Sequence, residues 1–147
     1  MKKSNNYNFY LKFINSFLQD GLKNKTKKNI DFMLHKVSIR NNIQPIQVLY
    51  FVYSKLCSII EVKKLKIRNR YMFIPFPINL RTRFYLASFF LKTGILERKK
   101  KQNRSYSTLL ELEINSILNN NVSYTLKILN KYFLQILKNR SNAHFRW

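Results

Sequence analysis

The chain has 147 residues, with 28 Lys and Arg against six Asp and Glu, and a formal net charge of +22. That length suits one core and argues against a second domain. A charge so one-sided repels itself across the surface, so it calls for an acidic partner, with nucleic acid or an anionic membrane surface ahead of an acidic protein. No run reaches the roughly 18 apolar residues of a spanning helix, since "FYLASFFL" is cut by Lys92 and Gly94. The lone Cys57 excludes an internal disulfide and a cysteine-based zinc site, and its apolar helical setting predicts a buried thiol.

The basic start "MKKSNNYNFYLKFINSF" has no clean apolar stretch followed by a small-residue cleavage site, so it does not read as a signal or transit peptide. In the first helix Tyr10, Phe13, Ile14, Phe17 and Leu18 share a face, and Asp20-Gly21 ends it. A second helix is predicted from about Lys25 to Ser38 with Ile30, Met33, Leu34 and Val37 inward. After the turn "RNNIQP", Pro45 opens a third, striped by Ile46, Leu49, Tyr53, Leu56 and Ile60.

At Glu61 the period changes to alternation, and residues 61–79 predict a β-hairpin with Arg68-Asn69 as its turn. Ile67 then opposes Arg70, Leu65 opposes Met72 and Lys63 opposes Ile74 on a largely apolar face. The other face pairs Lys66 with Tyr71 and Lys64 with Phe73, cations beside rings, as phosphates and unstacked bases require. Pro75 and Pro77 restrict the hairpin to an isolated ribbon or an edge.

Asn79 is placed to cap a fourth helix, about Leu80 to Leu96, that ends near Gly94. Arg81 and Arg83 in its first turn oppose the helix dipole, an arrangement that makes sense with a phosphate present. "ERKKKQNRS", with Lys99 and Lys100, reads as a solvated basic loop. "TLLE", Thr108 to Glu111, reads as a capping box for a fifth helix through Leu112, Ile114, Ile117 and Leu118. "NNNVS" breaks that helix and Ser123 caps a sixth, with Leu126, Leu129, Phe133, Ile136 and Leu137 inward and Lys127, Lys131, Lys138 and Arg140 outward. The fold class is therefore mainly α, a six-helix bundle-like single domain over residues 1–147 with a protruding basic hairpin between the third and fourth helices.

Catalytic chemistry is poorly supplied. The acids do not pair, Glu111 and Glu113 point to different faces of one helix, His35 lies beside Lys36 on a helix, and no glycine-rich phosphate loop occurs. The reading is a non-enzyme with no cofactor, no metal and no small-molecule substrate. Frequent Lys, Asn, Ile, Phe and Tyr beside two Gly and three Pro indicate A- and T-rich codons, typical of organellar or endosymbiont genomes. Lysines accumulate passively under that bias, so the arginine pairs Arg68 and Arg70, Arg81 and Arg83, and Arg140 and Arg146 carry more weight.

Three stretches resemble the small-subunit ribosomal protein seven family: "KFINSFLQDGLKNKT", its first helix and Asp-Gly turn; "IIEVKKLKIRNRYMFIPFPINLRTRFYLA", its strand, hairpin and arginine-bearing helix start; and the ending "NAHFRW". The resemblance implies a structural constituent of the small subunit that binds the 3′ major domain of its rRNA and helps assemble the head. Neighbouring head proteins would be partners, with the hairpin near the exit-site tRNA and messenger path. It makes Lys63, Lys64, Lys66, Arg81 and Arg83 rRNA contacts; Arg68, Arg70, Tyr71, Lys99, Lys100, Arg140 and Arg146 join them as candidates. Two departures from the family are a tip of Arg68-Asn69 where it has glycines, and a basic arm reduced to Lys2 and Lys3. The expected location is the mitochondrial ribosome, with a plastid-type organelle as the alternative. A peripheral membrane protein built on basic amphipathic helices, with no rRNA, is the rival function.

Overall fold

The structure, a computed structural model, describes residues 2–18, 20–67 and 69–146. Its elements run α1 (Lys2–Ser16), α2 (Lys23–Asn41), α3 (Pro45–Leu56), β1 (Ile60–Ile67), β2 (Arg70–Pro77), α4 (Leu80–Lys101), α5 (Tyr106–Leu118) and α6 (Tyr124–Lys138), followed by a 3-10 segment, Arg140–Phe145. Helices surround one continuous apolar cluster, and the two strands form an antiparallel pair between α3 and α4. No helix among the described residues is long and apolar enough to cross a membrane.

The helical stripes supply the core. Phe13, Ile14 and Phe17 are buried, and Asp20 and Gly21 both adopt left-handed backbone in the turn that follows. Because α1 stops at Ser16, Leu18 leaves the stripe and is exposed, against expectation. α2 is longer than expected at both ends but buries the four residues its spacing selects, then stops at left-handed Asn42. α3 starts on Pro45 and ends at Leu56, so Ile60 belongs to β1 instead of the helical stripe, while Val48 and Val52 join the core. Cys57 falls one residue past the helix and is exposed, correcting its reading as a buried thiol.

α4 departs furthest from expectation. It runs straight through Gly94 and takes in "ERKKK", so Lys99 and Lys100 stand on the last helical turn and not in a loop. Cations there complement the helix dipole. Gly94 is buried against the start of α6: an added Cβ would lie 2.2 Å from Thr125 Oγ1 and 2.8 Å from its backbone nitrogen. The glycine is a close-approach residue, not a stop. At the other end Asn79 occupies the N-cap position without a side-chain cap bond.

α5 begins at Tyr106, three residues before the expected capping box would act, because Ser105 Oγ accepts the Thr108 N–H. Glu111, freed from capping, pairs with Lys36 at 4.0 Å. Ser123 caps α6 as expected, accepting from Leu126 N at 3.0 Å. Leu129 and Ile136 are buried, but Phe133 and Leu137 are 38% and 59% exposed, so α6 buries a narrower stripe than its periodicity offers.

A polar junction ties α4, α5 and α6 together. Glu113, fully buried, accepts Arg98 Nε at 2.7 Å on one oxygen and both the backbone N–H and the hydroxyl of Thr125 on the other, at 2.7 and 2.8 Å. One carboxylate thus neutralises a cation from α4 and satisfies an open N–H at the start of α6. The final residues form a 3-10 segment of their own instead of closing α6, and lie against β2: Asn142 Nδ2 donates to the Phe73 carbonyl at 3.0 Å, and Arg146 Nε donates to that of Pro75. Trp147 lies outside the described residues.

Candidate nucleic-acid interface

The hairpin forms because alternating residues from Ile60 to Pro77 can pair only antiparallel across so short a turn. The register is the expected one, with Lys63 opposite Ile74, Lys64 opposite Phe73, Leu65 opposite Met72, Lys66 opposite Tyr71 and Ile67 opposite Arg70. Both prolines sit in β2, which has no partner on its outer edge among the described residues. The base is anchored by Ile74 and Pro75, both buried, and by Tyr132 of α6, whose hydroxyl accepts the Val62 N–H at 3.2 Å. Toward the tip, Lys63, Lys64, Lys66, Arg70 and Tyr71 are all exposed.

The cations meet rings in a different pattern from the one expected. Lys64 reaches diagonally to Tyr71, with Nζ 4.4 Å from the ring centroid, and Lys63 lies 5.5 Å from Phe76 on the other face. Directly opposed residues in a twisted ribbon leave long side chains free to take diagonal partners. Among the described residues no carboxylate is within ion-pair distance of Lys63, Lys64, Lys66 or Arg70. Arg68 lies outside the described residues.

At the start of α4, Arg81 is exposed and Arg83 is partly buried, its Nε donating to the Ile78 carbonyl at 3.1 Å. That bond fixes Arg83 against the end of the hairpin and leaves Arg81 as the more accessible of the two. Lys99 and Lys100 stand at the opposite end of α4. At about 1.5 Å rise per residue they lie about 28 Å along the helix from Arg81, so the structure does not join them to the hairpin site. Arg140 is exposed on the 3-10 segment. Arg146 spends its Nε on Pro75 and thereby holds the chain end to the hairpin.

Two features escaped the sequence reading. Around Tyr124, Arg98, Lys101 and Lys127 lie within 5.1 to 5.7 Å of one ring centroid, brought together by the α4–α6 contact. Between α1 and α4 runs a groove of about 920 Å³, whose edges carry Lys12, Arg81 and Lys92 and whose lining includes Tyr50, Tyr85 and Phe89. Its signal was present in the four-residue spacing of Arg81, Tyr85 and Phe89. No cluster of three or more His, Cys, Asp or Glu suited to a metal occurs among the described residues.

These features sit in a chain whose relatives are identifiable. The family model for ribosomal protein S7p/S5e matches residues 2–129, which takes in the hairpin and the whole of α4 and α5. The small ribosomal subunit protein uS7 of Carsonella ruddii (strain PV) is 30% identical over 128 residues, covering 78% of this chain and 82% of that protein. The chain therefore belongs to the ribosomal protein S7p/S5e family.

Proposed function

We propose that this chain is a structural, non-catalytic constituent of the small ribosomal subunit that binds the 3′ major domain of its rRNA and helps organise the head. It does so by neutralising phosphates and fitting RNA shape, not by reading bases one at a time. The observation that carries the reading is the exposed hairpin, where among the described residues Lys63, Lys64, Lys66 and Arg70 have no ion-pair partner and Tyr71, under Lys64, is still 62% exposed. Arg81 extends that surface onto the first turn of α4, with Arg83 bracing its base. The whole chain acts as one rRNA-binding unit, and neighbouring head proteins share its remaining surface. The free length of the hairpin suits a position beside the exit-site tRNA and messenger path. The A- and T-rich residue choice supports an organellar, mitochondrial ribosome as the location.

The test is the salt dependence of binding to a transcript of the rRNA head domain. Affinity falls steeply with salt, and Arg81→Ala with Arg83→Ala flattens the log–log slope by about one to two units, since each phosphate contact contributes somewhat under one. An unchanged slope in the double variant overturns the role of these arginines. Flotation with anionic vesicles in the absence of RNA overturns the reading as a whole.

A further inference from the structure

The hairpin has only two strands, yet both of its edges are held. The Val62 N–H goes to the Tyr132 hydroxyl and the Ile78 N–H to the Ile59 carbonyl, so the ladder bonds fall on the Ile59–Ile78 pair and every second pair after it. Val62 and Lys64, with their partners Pro75 and Phe73, therefore turn their backbone groups outward. Both prolines of β2 stand where a missing N–H costs the ladder nothing. At those positions the outer edge of β2 has carbonyls to satisfy and no donor with which to recruit a third strand. Side chains meet the carbonyls instead: Asn142 Nδ2 donates to that of Phe73 at 3.0 Å, and Arg146 Nε to that of Pro75. On the outer edge of β1 the Tyr132 hydroxyl accepts from Val62 at 3.2 Å and donates to the Ile60 carbonyl at 3.5 Å. Among the described residues of the 3-10 segment none is buried, so it adds no core, and its bonds to β2 are what it contributes.

We propose that Asn142 and Arg146 are positioning residues for the hairpin: they fix the angle at which Lys63, Lys64, Lys66 and Arg70 meet RNA, and Arg146 acts through its Nε and not through its charge. A two-stranded ribbon alone is marginal in water, so an unheld hairpin frays and swings about its base. Each strand takes seven steps from the Ile60–Pro77 base to the Ile67–Arg70 pair, about 24 Å at about 3.4 Å per residue. Held at Phe73, only three steps remain free, about 10 Å. The shorter arm has less freedom to lose when an RNA docks, so the same cations bind more tightly than they would on a loose ribbon. Tyr132 braces the lower half from the β1 side, while the two donors from beyond α6 reach the β2 side, so the ribbon is clamped between them. Arg146 is bonded to a neutral carbonyl, an arrangement in which the position of its donor matters and its charge does not.

This proposal rests on the reading of the hairpin as an RNA-binding surface, and the experiment keeps the two apart. The full chain, Arg146→Ala, Arg146→Gln, Arg146→Lys and the double variant Asn142→Ala with Arg146→Ala are compared for binding to the head-domain transcript across a salt series. Without RNA, nitroxide labels on Asn69→Cys at the tip and Lys28→Cys on α2, both exposed sites, report the spread of their separation in a Cys57→Ser background. Gln Nε2 stands as many bonds from the backbone as Arg Nε, so Arg146→Gln keeps the donor and drops the charge, whereas Arg146→Lys keeps the charge and moves the donor. The double variant is expected to broaden the tip separation and to lose about tenfold in affinity, with its salt slope unchanged. Arg146→Gln behaves as the parent in both measurements, and Arg146→Lys binds more weakly than Arg146→Gln. Circular dichroism checks that the fold is intact; if the double variant does not fold, the Gln and Lys variants decide the matter alone. An unchanged tip separation in the double variant overturns the proposal. So does an Arg146→Gln chain that binds as weakly as Arg146→Ala with a slope reduced by nearly one, the signature of a direct phosphate contact. If the parent does not bind the transcript, the RNA-binding reading falls, and the tip separation still decides whether the two donors hold the hairpin.

Discussion

Arg98 and Lys64 are cations of one chain under opposite conditions. Arg98 is buried where α4, α5 and α6 meet, its charge matched by the fully buried Glu113 and its Nη2 donating to the Ser116 hydroxyl. Lys64 is exposed on the hairpin, with the Tyr71 ring beside it and, among the described residues, no carboxylate within ion-pair distance. Burying a charge without a counterion is prohibitive, so the core must import a carboxylate to hold an arginine. The surface has no such requirement, and a chain with six acids and 28 cations has too few carboxylates to give most of them one each. The difference teaches where function can be sought: the compensated cation holds the fold, and the uncompensated ones are available to an anion from outside.

The sharpest way to break that division is at Glu113. Glu113→Ala leaves Arg98 buried and unpaired and removes the acceptor for Thr125 N–H, so it should cost about 3–5 kcal/mol of stability in urea unfolding. If the variant unfolds at the same urea concentration as the parent, the junction is not what holds α6 to α4.

The opposite substitution belongs on the hairpin. Lys63→Ala, Lys64→Ala and Lys66→Ala together should change stability by no more than about 1–2 kcal/mol, because what they lose within the fold is two exposed cation–π contacts, Lys64 on Tyr71 and Lys63 on Phe76. The same triple variant should flatten the salt dependence of rRNA binding by about two to three units. A large loss of stability with an unchanged salt slope would reverse the assignment of the two regions.

The two regions also differ in how far they could be read from the sequence. Hairpin register was legible because strand pairing is local: once Arg68-Asn69 is taken as the turn, every partner down to Ile60 and Pro77 follows by counting. The core stripes of α2 were legible for the same reason, since Ile30, Met33, Leu34 and Val37 are chosen by one helix's own period. The junction was not. A glycine inside a helical pattern reads locally as an end, whereas Gly94 is required by Thr125, a residue that only tertiary packing brings near. Glu113 likewise looked like half of an unpaired acidic couple, because its partners come from two other helices. Phe133 and Leu137 show the complementary limit: periodicity orients a face, but neighbouring elements decide how much of it is covered. At the interface, residue type identified the hairpin cations, while the groove needed α1 to be placed beside α4 before Lys12 and Arg81 could share a site.

The interior side of the comparison has a smaller, pH-dependent signature. Tyr106, at the start of α5, packs against the core, and burial pushes its phenol from the ordinary 10 up to about 12. Burial also raises Tyr53, stacked on Phe84 and bonded to Ser88, and Tyr132 beneath the hairpin. The fold favours the neutral phenol, so between pH 10 and 12 the native chain keeps a proton that the unfolded chain has released. The number of bound protons is then larger in the native state, and stability falls as pH rises. For Tyr106 the contribution is fully present below pH 10 and is lost by at most about 1.4 kcal/mol per pH unit above it, until the native phenol ionises near 12. Tyr106→Phe keeps the ring and removes the titrating group, so its melting temperature should decline less steeply than that of the parent between pH 10 and 11.5. Parallel declines in the two proteins would show that the alkaline loss arises elsewhere, with Tyr53 the next position to replace.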